Sequence, residues 1–437
     1  MDELFFSFQD SLIPDEEIDE LGVKIGGEIQ SMKDAASMGY SDDRASINLP
    51  FDNKAVDRVK EVVEDKKELN PSYLVVVGIG GSIRGTKAVQ EAVSGKLRNQ
   101  RDSGMKVLYA CNPDPYIIRD IKGIMESILE KKDNVVLNVV SKSGTTTETM
   151  ANFQLLVDLL KEHRQDYRRY VVATTERDSG LWNLASKEGF DLLEIPGKVG
   201  GRYSVYSPVG LFPLAMLGVD IDELLKGARI MRDRCLKSEI RDNPAVFGSI
   251  VTYLHHRGGN SIYNLFLYSE DFESIGGWYR QLMAESLGKE YNNSGERVFE
   301  GLTPLTCIGS RDLHSMAQLL LGGPYDKLTS FIKVEGEDSM VSVPVNPRYS
   351  CLVDGIQGKS LGFIIDAIYE GVKVSFRNNK RPFTEVVLPD RREASIGEFL
   401  QYKMMETMYL GSLLDVNPFN QPNVESYKKE TRRILGD

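Results

Sequence analysis

Between residues 54 and 174, runs of apolar, mostly β-branched residues alternate with stretches of helical period, and this alternation constrains the fold more than any other feature. The runs are Tyr73–Val77, Val107–Ala110, Val135–Val140 and Tyr170–Thr174. Each is apolar on both faces, as a strand of a parallel sheet covered by helices must be. Before the first run, Val56, Val59 and Val63 share one helical face. Helices are expected from about Thr86, over Pro115 to Leu129, and from about Thr147. Parallel neighbours cannot be joined by a tight turn, so a helix between successive strands points to a doubly wound sheet.

A second alternation begins further along. Helices are expected over 209–237 and 244–257, then strands at 261–268, 302–308, 328–334 and 383–388. Helices at 274–287, 312–321, 359–378 and 396–412 complete the pattern. The chain therefore reads as two α/β units in tandem, with the boundary in 200–245. A length of 437 residues suits two or three domains. In such sheets ligands bind beyond the carboxyl ends of the strands, so the segments just after each strand carry the functional interest.

Composition narrows the partners. With 41% hydrophobic and 27% charged residues the chain can build real cores. A net charge of −11 argues against non-specific nucleic-acid binding and against attraction to anionic membranes. No apolar run reaches the roughly 18–20 residues of a membrane span. The opening residues, from Met1 to Asp10, lack the basic stretch of a signal peptide. Cys111, Cys235, Cys307 and Cys351 are far apart and form no CxxC, which suits reduced thiols in the cytoplasm. His163, His255, His256 and His314 show no metal-ligand spacing, and neither a metal nor a redox cofactor site is expected.

Several segments after strands could carry chemistry. Ser141-Lys142-Ser143-Gly144-Thr145-Thr146-Thr147-Glu148-Thr149 follows the strand at 135–140. Its Thr145–Glu148 fits a capping box, so a helix should start there with unpaired amides and a positive dipole end. Such an end ringed by hydroxyls suits a phosphate, although an ordinary cap in a polar turn fits equally well. Gly78-Ile79-Gly80-Gly81-Ser82 begins like a dinucleotide fingerprint, but Ile83 stands where the third glycine belongs, and no Walker Lys follows. What remains is a loop whose backbone can approach a ligand, or simply a tight turn. Gly200-Gly201-Arg202-Tyr203-Ser204 offers a fixed guanidinium to an anion or to a salt bridge. Gln281 and Glu285 are four apart on one helical face, and His314 falls after the strand at 302–308. Together these residues supply what an aldose–ketose isomerisation needs: a phosphate cradle, a carboxylate, a histidine, an arginine and a lysine.

Six motifs in order then resemble the glucose-6-phosphate isomerase family, in its short bacterial form. They are Gly-Ile-Gly-Gly-Ser (78–82), Ser-Lys-Ser-Gly-Thr-Thr-Thr-Glu (141–148), Gly-Gly-Arg-Tyr-Ser (200–204), Glu-Ser-x-Gly-Lys (285–289), Asp-Leu-His-Ser (312–315) and Asn-Pro-Phe-Asn-Gln-Pro-Asn-Val-Glu-x-x-Lys (417–428). The resemblance implies two SIS-type α/β/α sandwiches with doubly wound parallel sheets: residues 51–205 carry the phosphate loop and 206–412 form the second unit. An N-terminal segment, 1–50, would pack on the core, and 413–437 would form a C-terminal loop and helix. It implies a sugar-phosphate substrate, no cofactor, and a homodimer with the site between domains and the histidine given by the partner subunit.

The same likeness assigns roles. Ser141, Ser143, Thr146 and Thr149 bind phosphate beside Lys142, Gly81 and Ser82. Glu285 is the base, His314 and Lys428 open the ring, Arg202 stabilises the enediolate, and Gln281 and Gln421 contact substrate. Four positions depart from the family's pattern: Arg84 replaces an apolar residue, Ala284 a glycine, and Asn420 and Asn423 an aspartate and a glycine. A non-catalytic sugar-phosphate sensor would not need Glu285, His314 and Lys428 together. An amidotransferring isomerase would need an N-terminal cysteine, where this chain has Met1. A mannose-phosphate or dual-specificity isomerase is excluded less firmly.

Overall fold

The apolar runs become strands of two largely parallel sheets, most of them central, with Val107–Ala110 and the run at 302–308 each at a sheet edge. The computed structural model describes residues 3–101, 104–336 and 341–436. In chain order its strands are β1 (Phe5–Ser7), β2 (Pro71–Val77), β3 (Lys106–Ala110), β4 (Asn134–Val140), β5 (Val171–Thr175) and β6 (Asp191–Glu194), then β7 (Ile262–Leu267), β8 (Lys289–Tyr291), β9 (Arg297–Glu300), β10 (Thr303–Ile308), β11 (Lys327–Val334) and β12 (Phe383–Leu388). The first sheet runs β3-β2-β4-β5-β6, parallel throughout. The second runs β1-β12-β11-β7-β10, parallel except for β1, which lies antiparallel on β12. Strands β8 and β9 form a separate hairpin.

The parallel α/β architecture read from the sequence is therefore present, with local corrections. The expected helix over 209–237 is two helices, Pro208–Met216 and Ile221–Arg234, because the chain turns at Gly218 with φ +82°. The capping box at Thr145–Glu148 does not form. Helix Thr147–His163 does begin there, but Thr146 is its N-cap and makes no side-chain cap bond. Its hydroxyl pairs instead with Ser141 Oγ at 3.1 Å.

One apolar core joins the two sheets. It runs from Leu74 and Val76 on β2 through helices Gly81–Ser94, Pro208–Met216 and Glu273–Leu287 to Leu265 on β7. Helix Glu393–Leu413 crosses this core and is buried from Ser395 to Gly411. A helix so placed cannot leave its charges unpaired. Lys403 Nζ accordingly meets Glu406 at 2.8 Å and donates to the Tyr263 hydroxyl, and Tyr402 donates to the same Glu406. This packing sets the helix after β2 antiparallel to the helix after β7: Gly80, at the carboxyl end of β2, meets Gln281 near the end of the second helix, while Lys96 meets Asp271 and Glu273 at its start, just after β7.

Candidate active site

Glycine at two positions lets three segments meet. Gly80 has φ +58°, and a Cβ there would lie 3.1 Å from Gln281 Nε2. A Cβ on Gly81 would lie only 2.1 Å from the carbonyl carbon of Gly201. Only glycine allows that backbone-to-backbone approach. The amino end of helix Gly81–Ser94 thus touches the turn Gly201–Tyr203, and both face helix Glu273–Leu287. Gly78 sits beside the Val140 carbonyl, which puts the loop after β2 next to the hydroxyl loop after β4.

Arg202 is the centre of this meeting point. It is 2% exposed, and a guanidinium so buried needs every donor satisfied. Nε donates to Ser286 Oγ at 2.7 Å. Nη1 donates to Gln421 Oε1 at 2.7 Å and to Glu285 Oε2 at 3.4 Å. Nη2 donates to the carbonyls of Pro418 and Asn420 at 2.6 and 3.1 Å. Gln281 Nε2 also donates to Glu285 Oε2, at 3.2 Å. That oxygen of the base candidate is therefore fixed from two sides. Its other oxygen has no hydrogen-bond partner among the described residues, and the side chain is 32% exposed. A carboxylate held by one oxygen and open at the other is disposed to accept a proton from a bound molecule. Gln281 Oε1 is buried and also without a partner among the described residues.

The hydroxyl loop bonds its own amides and leaves those of the following helix without a side-chain cap. Ser141 Oγ accepts from the amide of Gly144 at 3.2 Å, and Ser143 Oγ accepts from the Thr145 amide at 3.3 Å. Because the Thr146 hydroxyl turns to Ser141, no side chain caps the first amides of helix Thr147–His163. Lys142 donates to the Gly197 carbonyl, and burial lowers its pKa. Thr149 Oγ1 is buried without a partner among the described residues, within the first turn of the helix.

Two expected residues lie apart from this cluster. His314 is exposed near the start of helix Leu313–Gly322, beyond β10. Lys428 is on the exposed helix Val424–Leu435, and its ammonium pairs with Glu425 at 2.7 Å. Neither makes a hydrogen bond or ion pair with Glu285 or Arg202 among the described residues. Three participants were given no role from sequence: Ser286, Tyr203 and Lys289. The Tyr203 hydroxyl sits 2.9 Å from Ser286 Oγ, so it braces the partner of Arg202. Lys289 Nζ donates to the carbonyls of Glu285 and Asn420, at 2.5 and 3.0 Å. Its place four residues after Glu285, just past the helix end, was a readable signal, since lysines there bond the last carbonyls of a helix.

The sequence profile of the family described as phosphoglucose isomerase matches residues 64–340. The glucose-6-phosphate isomerase of Carboxydothermus hydrogenoformans is 32% identical over 417 residues, which cover 93% of this chain and 87% of that one. The chain belongs to the phosphoglucose isomerase family. Among solved structures, a hypothetical protein of Thermus thermophilus superposes with a TM-score of 0.86 at 30% identity, covering 99% of this chain and 100% of the other. A glucose-6-phosphate isomerase of Chlamydia trachomatis shares the fold at 0.82 and 19% identity, covering 100% of this chain and 89% of the other.

Three of the four departures expected from the sequence have local accounts here. Arg84 donates to the Gly277 carbonyl at 3.3 Å, tying the helix after β2 to the helix that carries Gln281 and Glu285. Asn420 acts through its main-chain carbonyl, which any residue supplies. Asn423 donates to Glu290 at 2.9 Å and so fastens the C-terminal segment to the β8–β9 hairpin. Nothing in the structure explains alanine at 284.

Proposed function

We propose that this chain interconverts glucose 6-phosphate and fructose 6-phosphate by moving one proton between C2 and C1 of the opened sugar. The observation that carries this reading is the Glu285 carboxylate, pinned at one oxygen by Arg202 and Gln281 and open at the other. A single carboxylate over a planar cis-enediol can take the proton from one carbon and return it to its neighbour. General base catalysis of this kind is worth about 10²–10⁴-fold. The carbon acid is too weak to ionise unaided, so the enediolate needs a fixed cation. Arg202 fits that need because its donors are all held by protein groups, which makes it a rigid positive charge that does not reorganise during the reaction.

The phosphate is held away from the reacting carbons, by Ser141, Ser143, Thr146 and Thr149 with Lys142, and by Gly81 and Ser82. Binding energy spent there serves orientation. Gln281 and Gln421 contact the sugar. His314 and Lys428 shift a proton from O1 to O5 to open the ring. The exposed position of His314 supports a homodimer in which the partner supplies it. The helix that carries it is apolar and leaves Leu319 42% exposed, which favours a covering surface there. We place the enzyme in the cytoplasm, where its four free cysteines would stay reduced.

The test is the purified protein with fructose 6-phosphate, read by a coupled dehydrogenase for glucose 6-phosphate, with mannose and glucosamine 6-phosphates as comparisons. Turnover of fructose 6-phosphate without added metal supports the proposal. Binding without turnover would make the chain a sugar-phosphate sensor.

A further inference from the structure

Beneath the Glu285–Arg202 cluster lies a lysine that the proposed reaction does not use. Lys289 is 5% exposed, and its ammonium meets no carboxylate among the described residues. It donates to two main-chain carbonyls instead: Glu285, in the last turn of helix Glu273–Leu287, and Asn420, in the segment before the C-terminal helix. Asn420 O is shared with Arg202 Nη2, and the next residue is Gln421, which accepts from Arg202 Nη1. A carbonyl in the last turn of a helix has no partner within the helix, so an ammonium satisfies it and favours the negative end of the dipole. The C-terminal segment forms no strand or helix over 417–421, so its position depends on contacts such as these carbonyl bonds and on Phe419, which packs against the core.

We propose that Lys289 is a positioning residue for the isomerisation, a clamp that locks segment 417–421 to the end of the helix bearing Glu285. It sets the distance between the base, the guanidinium and Gln421 without touching substrate. The inference rests on Glu285 and Arg202 having the roles proposed above. It goes beyond them in giving the clamp a second property. Burial and the nearby Arg202 guanidinium push the Lys289 pKa down to about 7, with Glu285 opposing. Other charged groups around it are few. Glu290 follows it in β8 and is paired with Arg297, Tyr203 packs beneath Arg202, and segment 417–421 contains no titratable side chain. A charged donor holds a carbonyl more strongly than a neutral amine. The clamp is therefore tight while Lys289 is protonated and loosens as pH rises through neutrality.

The experiment compares the wild-type chain with Lys289→Met and Lys289→Arg, by steady-state kinetics and by amide hydrogen exchange of segment 417–421. For Lys289→Met, kcat should fall about tenfold to a hundredfold with KM little changed, as for a misplacement remote from the bound substrate. Exchange in 417–421 should rise. Lys289→Arg keeps a charged donor and should recover both. A wild-type kcat in Lys289→Met, a loss of kcat with unchanged exchange, or no recovery in Lys289→Arg would overturn the clamp.

If Lys289→Met does not fold, exchange corrected for its intrinsic pH dependence still decides the matter. From about pH 6 to about pH 9, protection of 417–421 should fall in the wild type and stay level in Lys289→Arg, because arginine keeps its proton. Level protection in both would overturn the proposal. Exchange needs no turnover, so a chain that proved not to isomerise sugar phosphates would leave this readout standing.

Discussion

Two adjacent glycines show how far single residues could be read from the sequence. The Gly-Ile-Gly-Gly-Ser loop was legible as a place of close approach, but what approaches was not. In the structure the neighbour of Gly81 is the backbone of Gly201, far away along the chain and invisible without the fold. A Cβ on Gly81 has nowhere to go, whereas one on Gly201 would stand 3.7 Å from Gly81 Cα, an ordinary contact. Gly81→Ala should therefore lower turnover by about a hundredfold by forcing the loop and the Arg202 turn apart, while Gly201→Ala should stay within about threefold. Kinetics of the two variants check this, and equal losses would contradict it. Arg202 was legible as an anion-facing or ion-paired residue and proves to be held by five acceptors, three of them on the C-terminal segment. Lys428 was expected to open the ring with His314, and in the structure its ammonium pairs with Glu425.

At the scale of elements, the sequence spoke clearly wherever a strand is buried on both faces. β2, β4, β5, β7 and β11 lie inside their sheets, and their apolar runs marked them. β1, β6 and the β8–β9 hairpin escaped because they are short and partly polar or exposed, so their pattern resembles a loop. The helix break at Gly218 escaped because the apolar period continues on either side of it. Helix Glu393–Leu413 was legible as a helix but not as the crossing element of the core, since its polar residues are buried too. One of them gives a pH test. Burial raises the Glu398 pKa to about 7, while an unfolded glutamate titrates near the usual carboxylate value. Between about pH 4.5 and about pH 7 the folded state binds a proton that the unfolded state does not. Stability is thus greater below this window and falls as pH rises through it, by on the order of 2 kcal/mol. Glu398→Gln keeps an acceptor for the Leu4 amide and should remove that fall. Thermal melts of both proteins at about pH 5 and about pH 7.5 check it, and parallel curves would count against it.

At the scale of the whole molecule, the fold joins Glu285 to Arg202 and sets the loop after β2 beside the Val140 carbonyl that precedes the hydroxyl loop, while His314 is exposed and bonded to neither Glu285 nor Arg202 among the described residues. The sequence put that histidine just after the strand at 302–308, where it does lie, and only the likeness to a family tied it to a partner's site. If a second copy completes the site, Leu319→Asp on the same helix should weaken the dimer and lower turnover together. Sedimentation velocity alongside the coupled assay tests this, and a monomeric variant with full activity would refute it. The proposed reaction turns on Glu285 as the group that moves the proton. Wild-type protein incubated with glucose 6-phosphate in deuterated water should incorporate deuterium at C2. Glu285→Gln should still bind the sugar phosphate and incorporate none, whereas exchange persisting in that variant would remove Glu285 from the role of base.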